Sequence, residues 1–115
     1  MYQNHSLKIY SKLNHLMKKL ESFQRKYLRG LAHKLKPVVL IGQKGLTDNV
    51  LRSTEQAFED HELIKIKFND LKEKGQKKET SELLKSKTGS EIVGTIGHMV
   101  ILYKQQEDPE KQKII

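Results

Sequence analysis

Val38-Val39-Leu40-Ile41-Gly42-Gln43-Lys44-Gly45-Leu46-Thr47-Asp48, residues 38–48, carries three structural signals in one stretch. Val38–Ile41 is a short, continuous run rich in β-branched side chains that stops at a glycine, which reads as a buried strand. Gly42 and Gly45 frame a GxxG turn, where two missing Cβ atoms let the backbone bend tightly and approach a ligand. Thr47 is a helix N-cap, and Asp48 puts an acid in the first turn, where the helix dipole favours it. A strand that enters a helix through a glycine loop points to helices layered on a sheet.

The flanking segments extend that pattern. Upstream, Phe23, Tyr27, Leu31 and Leu35 form a helical stripe with Leu28 beside it, expected to be the core face. That helix should stop near Lys36, because Pro37 disfavours helical geometry in the residue before it. Downstream, Leu46, Val50, Leu51, Ala57 and Phe58 make the apolar face of a second helix. Leu63–Phe68 alternates, with Ile64, Ile66 and Phe68 on one side and Lys65 and Lys67 on the other, which predicts a half-buried strand. After a charged stretch over 69–78, a third helix is expected around Leu83 and Leu84, closed by Thr88-Gly89. Ile92–Ile96 and Met99–Tyr103 flank Gly97-His98, a two-residue connector of the type II′ hairpin kind. The expected fold class is α/β: one domain in α-β-α-β-α-β-β order, a mixed four-stranded sheet with helices packed on it and right-handed crossovers.

With 115 residues the chain has room for one such domain. It has 22 Lys and Arg against 14 Asp and Glu, a formal net charge of +8. A balance of that sign attracts polyanions, so nucleic acid or an anionic membrane surface is the partner class to test first. Cysteine is absent, which excludes disulfides, thiolate metal sites and cysteine nucleophiles. No apolar run reaches the ~18–20 residues of a membrane span, and the lysines of the opening segment interrupt any signal-peptide core. The expectation is a soluble, reduced, cytoplasmic domain.

Two terminal segments flank it. Residues 1–20 form a basic extension with four lysines and no acid. Ile9, Leu13, Leu16 and Leu20 are spaced 4-3-4, and Phe23 and Tyr27 continue the series. The spacing fits a coiled-coil seam that would make a homodimer through residues 9–27; the favoured reading is a basic amphipathic helix that packs on its own domain or frays. Met17, followed by two lysines, is a second candidate start, with 1–16 an upstream extension. Residues 105–115 are polar, contain Pro109 and lack periodicity, so a mobile tail is expected.

Chemistry concentrates around the first helix and the GxxG loop. At 100° per residue, Arg25, Arg29, His33 and Lys36 form a row opposite the apolar stripe, with Lys26 at its flank. Residues 25–52 contain seven Lys and Arg and one acid, Asp48, a local net charge of +6. A single-signed row of this kind is a polyanion site or a solvated face. The GxxG is a tight turn or a phosphate cradle, with the helix after it supplying free N–H groups and Lys44 a mobile charge. It lacks the frame of a Walker A loop and the third glycine of a dinucleotide fingerprint. A KH domain sets its GxxG between two helices, whereas this loop follows a strand. The five histidines show no metal-ligand spacing, and the serines no nucleophile elbow. Glu55, Glu59, Asp60 and Glu62 read as an acidic solvated face. No enzyme, cofactor or metal is expected.

This order of motifs resembles the CRM (chloroplast RNA splicing and ribosome maturation) family, in particular its small YhbY-like bacterial members. The resemblance rests on residues 25–42, on Gly45-Leu46-Thr47, on residues 60–65, on Thr88-Gly89, and on Ile96-Gly97-His98 leading into Leu102-Tyr103-Lys104. It covers about residues 20–104, which implies a domain at 21–104. The resemblance implies a fold similar to the C-terminal domain of bacterial translation initiation factor three. It implies RNA as partner, in large ribosomal subunit precursors or, for plant versions, group II introns. The family's basic helix falls on Arg25, Lys26, Arg29, His33, Lys34 and Lys36, and its loop on Gly42, Gln43, Lys44 and Gly45, with Thr47 following. Two departures are Glu21 where Thr or Ser usually starts the first helix, and Gly75 in the lead-in to the third. The N-terminal extension inherits nothing from the family.

The resulting expectation is an RNA-binding protein assisting assembly of the large ribosomal subunit, monomeric and without a small-molecule substrate. With no Trp, three Phe and four Tyr, it should read RNA backbone and shape rather than stack bases. The alternatives are a dimeric interaction module built on the heptad stripe, and a DNA-binding domain.

Overall fold

The computed structural model describes residues 20–69, 74–112 and 114. The elements are α1 (Ser22–Ala32), β1 (Val39–Ile41), α2 (Asp48–Asp60), β2 (Leu63–Phe68), α3 (Lys74–Thr88), β3 (Glu91–Ile96) and β4 (Met99–Tyr103), followed by a 3₁₀ turn at Pro109–Lys111. This is the α-β-α-β-α-β-β order expected. The four strands form one sheet ordered β1-β2-β4-β3, with β1 parallel to β2 and β4 antiparallel to both β2 and β3.

One face of the sheet is closed except at the β3 edge, where Thr95 is exposed. Val39, Ile41, Ile64, Ile66, Phe68, Val100 and Leu102 point to it and meet Phe58 of α2 and Leu84 of α3. Leu46, Val50, Leu51 and Ala57 pack at the margin, as the amphipathic reading of α2 anticipates. Thr47 caps α2 as expected, its Oγ1 accepting the Val50 N–H at 3.2 Å.

The opposite face is covered only at one end. There Leu28 and Ala32 of α1 sit on Leu63, Val93, Ile101 and Tyr103, with Leu20 and Ile114 at the edge. This asymmetry accounts for the strand sequences. Met99–Tyr103 is apolar throughout because it is central and, from Val100 onward, buried on both sides, whereas β2 alternates beyond Leu63 because Lys65 and Lys67 lie past the reach of α1.

Five expectations need correction. The stripe taken as the core face of the first helix is exposed: Phe23 is 67% and Tyr27 54% accessible, while Leu28 and Ala32 are fully buried. A helix resting on one end of a sheet needs only a narrow apolar strip, so the longest stripe on the wheel is not the one it buries. The helix also ends at Ala32, before the expected stop near Lys36. β1 is not a fully buried strand, since Val38 and Leu40 are exposed on the uncovered face. Finally, the chain after Tyr103 is tied down. Gln106 Nε2 donates to the carbonyls of Phe58 and Glu59, at 2.6 and 3.2 Å. Glu62, expected on a solvated face, is buried and accepts the N–H groups of Gln106 and Ile114.

At the other end, Glu21 is the N-cap of α1, in extended geometry at φ −81° and ψ 162°, and its N–H donates to Gln24 Oε1 at 2.9 Å. A single helix therefore does not run through residues 9–27, although the Ile9–Leu16 part of that seam lies outside the described residues. Gly75 stands inside the first turn of α3.

Candidate nucleic-acid interface

The register across the sheet places Leu40, Lys67, Met99 and Ile96 in one transverse row, because Leu40 pairs with Lys67, Lys67 with Met99, and Met99 with Ile96. Val39 and Ile41 face the closed core, so this row lies on the half-covered side. Leu40 is 57% and Ile96 55% accessible. In the next row towards α1, Lys65 pairs with Ile101 and Ile101 with Gly94. The result is an open platform of apolar side chains and two lysines, bounded on one side by α1.

Arg29 forms the boundary. A Cβ on Gly94 would stand 3.1 Å from Arg29 Cδ, so the glycine lets the arginine stem lie flat on β3 while its head stays exposed. This close approach explains a glycine in a strand interior, next to the irregularity between Ile92 and Gly94.

The GxxG loop closes the far end of the platform. Gly45 N–H donates to the Gly42 carbonyl at 3.0 Å, making a turn between β1 and α2, and Gly45 adopts φ +67°. A Cβ there meets nothing within 4 Å, so the need for glycine is conformational rather than steric. Gln43 and Lys44 are exposed at the tip. Two neighbouring segments are stitched to the same end: Asn69 N–H donates to the Ile41 carbonyl, and Phe68 N–H to the carbonyl of His98 in the β3–β4 turn. Lys77 Nζ of α3 hydrogen-bonds His98 Nδ1, adding a further cation there.

The proposed site residues fall into three groups. Gly42, Gln43, Lys44, Gly45 and Thr47 lie together at the C-terminal end of β1. His33, Lys34 and Lys36 are exposed in the connection before the same strand, one short strand of ~10 Å away. Arg29 sits across the platform over β3, and Lys26 is exposed on α1. Arg25 departs from its expected position: it is half-buried, with Nε buried and lacking a hydrogen-bond partner among the described residues. It lies near the sheet rather than opposite it because the buried strip, Leu28 and Ala32, is only about one turn away on the wheel. Leu40, Lys65, Lys67, Ile96 and His98 were not singled out as site residues. The signal was present in the lysines of β2, whose meaning depends on how far the first helix reaches.

Comparison with known proteins agrees with this fold. Residues 20–104 match the CRS1/YhbY (CRM) domain model. The chain is 40% identical over 100 residues to an RNA-binding protein of Haemophilus influenzae, covering 84% of this chain and 96% of that one. It is 34% identical over 85 residues to the probable RNA-binding protein YqeI of Bacillus subtilis, covering 74% of this chain and 88% of the relative. The solution structure of a hypothetical protein from Staphylococcus aureus superposes with a TM-score of 0.69 at 33% identity, over 84% of this chain and 99% of that one. The chain belongs to the CRS1/YhbY (CRM) domain family.

Proposed function

We propose that this protein binds RNA in precursors of the large ribosomal subunit and assists their assembly in the cytoplasm, acting by binding rather than catalysis and without a cofactor. One observation carries the reading: cationic side chains and a glycine loop border a sheet face that α1 leaves half open. Arg29, His33, Lys34, Lys36 and Lys44 are placed to hold phosphates around this face, and Lys65 and Lys67 rise from within it. Gly42 and Gly45 admit a phosphate close to the main chain at the start of α2, where free N–H groups face an anion. Leu40, Met99 and Ile96 offer apolar contact to sugar and base faces without aromatic stacking. Recognition then depends mainly on the RNA backbone and its shape.

A salt titration of RNA binding tests the interface. Neutralising about five phosphates gives a slope of about −3.5 for log K against log salt, using the single-strand coefficient. A slope near zero would sink the electrostatic site. Gradient sedimentation of a lysate tests the assembly role, which requires co-migration with large-subunit precursors. A protein that stays at the top of the gradient yet binds RNA in vitro retains only the first half of the reading. Competition between RNA and DNA at matched salt decides against a DNA-binding domain when RNA wins.

A further inference from the structure

Lys77 stands in the first turn of α3, on the side of the sheet covered by α2 and α3, yet its side chain reaches the tip of the β3–β4 hairpin. There Nζ hydrogen-bonds Nδ1 of His98, an exposed residue that follows Gly97 at φ +56°. An ammonium group has only hydrogens to give, so Nδ1 accepts and the imidazole is the neutral tautomer with its proton on Nε2. The Nε2–H and the remaining ammonium hydrogens are left to donate elsewhere. Among the described residues no carboxylate pairs with Lys77, and residues 69–78 carry four lysines against two acids. A lysine held by a neutral ring instead of an acid keeps its whole charge.

The place of this pair decides what it can hold. Phe68 N–H donates to the His98 carbonyl and Asn69 N–H to the Ile41 carbonyl, so the end of β2 ties the hairpin tip on one side and the start of the GxxG loop on the other. β1 and β4 are two strand spacings apart, ~10 Å. Just inside the same end, exposed Lys67 pairs with Met99, the residue after His98. We infer that Lys77 and His98 form a second clamp for an RNA backbone phosphate, beside the one proposed at the GxxG loop, so that the RNA strand crosses the ends of β1, β2 and β4 in turn. The inference rests on the proposed RNA-binding function and adds to it a direction and two residues from outside α1 and the loop. The ammonium supplies charge, and the imidazole Nε2–H supplies a directed hydrogen bond to a phosphate oxygen. A free phosphate has little to keep it at so open a site, whereas a phosphate in a chain already held at the loop arrives at high effective concentration.

Anisotropy titrations of labelled large-subunit ribosomal RNA fragments with the full chain, repeated over a range of salt, test the clamp. Lys77→Ala should lower the slope of log K against log salt by about 0.7, the share of one phosphate on a single strand. Lys87→Ala, at the other end of α3, should leave the slope unchanged. His98→Ala removes a neutral donor, so binding should weaken about fivefold at an unchanged slope. His98→Gln, which can accept from Lys77 and donate to a phosphate, should restore it. None of the three side chains is buried, so melts should stay at the wild-type value. A slope that falls equally for Lys77→Ala and Lys87→Ala means diffuse attraction and overturns the clamp. So does a wild-type slope in Lys77→Ala, or full affinity in His98→Ala; with the wild-type chain binding RNA, either result leaves the proposed function standing. A wild-type chain that binds none of the RNA overturns both. In amide spectra, inorganic phosphate should leave Lys77 and His98 unmoved. Saturable shifts there would assign a site for free phosphate and overturn the RNA clamp.

Discussion

The two faces of the sheet are built from the same strands and serve different ends. The face under α2 and α3 is sealed: Ile41, Ile64, Ile66, Phe68, Val100 and Leu102 are essentially inaccessible. The face under α1 is sealed only at the Leu63–Tyr103 end, and beyond it Leu40, Lys67 and Ile96 meet solvent. The contrast makes stability and the proposed recognition separable here. One side can carry most of the hydrophobic driving force, so the other can leave apolar side chains and lysines open to a partner.

Substitutions can break that division of labour. Phe68→Ala, on the sealed face, should have the largest effect, lowering unfolding free energy by about 3–5 kcal/mol in chemical denaturation. The open face should respond differently. Arg29→Glu combined with Lys67→Glu should weaken RNA binding about a hundredfold, about 2.8 kcal/mol, while shifting stability by no more than ~0.5 kcal/mol. Anisotropy titrations paired with thermal melts check both halves. A melt that collapses would make those side chains structural. Arg25→Glu should not separate so cleanly, because the Arg25 side chain is half-buried and the variant should lose stability as well.

The loop allows a finer cut. Gly45→Ala should cost about 1–2 kcal/mol of stability through its positive φ alone, since its Cβ would enter open space. Lys44→Ala should leave the melt unchanged and reduce the salt slope by about 0.7, one phosphate contact. Equal behaviour of these two variants in both assays would mean that the turn and its charge do not act separately.

The smallest effect concerns the sealed end of the open face. Burial foremost, and then the Glu62 carboxylate, push the Tyr103 phenol well above its ordinary pKa, and its hydroxyl has no hydrogen-bond partner among the described residues. The raised folded-state pKa means the unfolded chain ionises first, so this contribution is intact below about pH 10 and is lost as pH rises further. Tyr103→Phe should change neutral-pH stability by less than ~1 kcal/mol and move alkaline unfolding to higher pH. Absorbance titration at the phenolate band, alongside circular dichroism, reads both.

Much of this architecture was legible in local patterns. Thr47 and Asp48 announced α2, the alternation in Leu63–Phe68 announced β2, and Gly97-His98 announced the hairpin, because each signal acts between near neighbours in sequence. The turn between β1 and α2 was equally readable, since Gly42 and Gly45 mark it within four residues. What failed was orientation. Whether Leu28 or Tyr27 faces the sheet depends on which end of the sheet α1 occupies, and no periodicity within one helix encodes that. The same gap hid Leu40, whose exposure follows from where α1 stops. Gln106 and Ile114 were unreadable for a related reason: their partner, Glu62, lies 44 and 52 residues away.

The strand order carries a consequence for how the protein comes into being. β4 is the last strand made and it is central, since β2 and β3 touch only through it. A nascent chain that has reached the Gly97-His98 turn holds two parallel strands with an empty lane between them. Helices α1 to α3 can form beforehand, but tertiary closure waits until residues 99–103 have emerged from the ribosome. Folding is therefore a late event on the growing chain, and a ribosome stalled before Tyr103 would expose the apolar edges of β2 and β3 for as long as it paused.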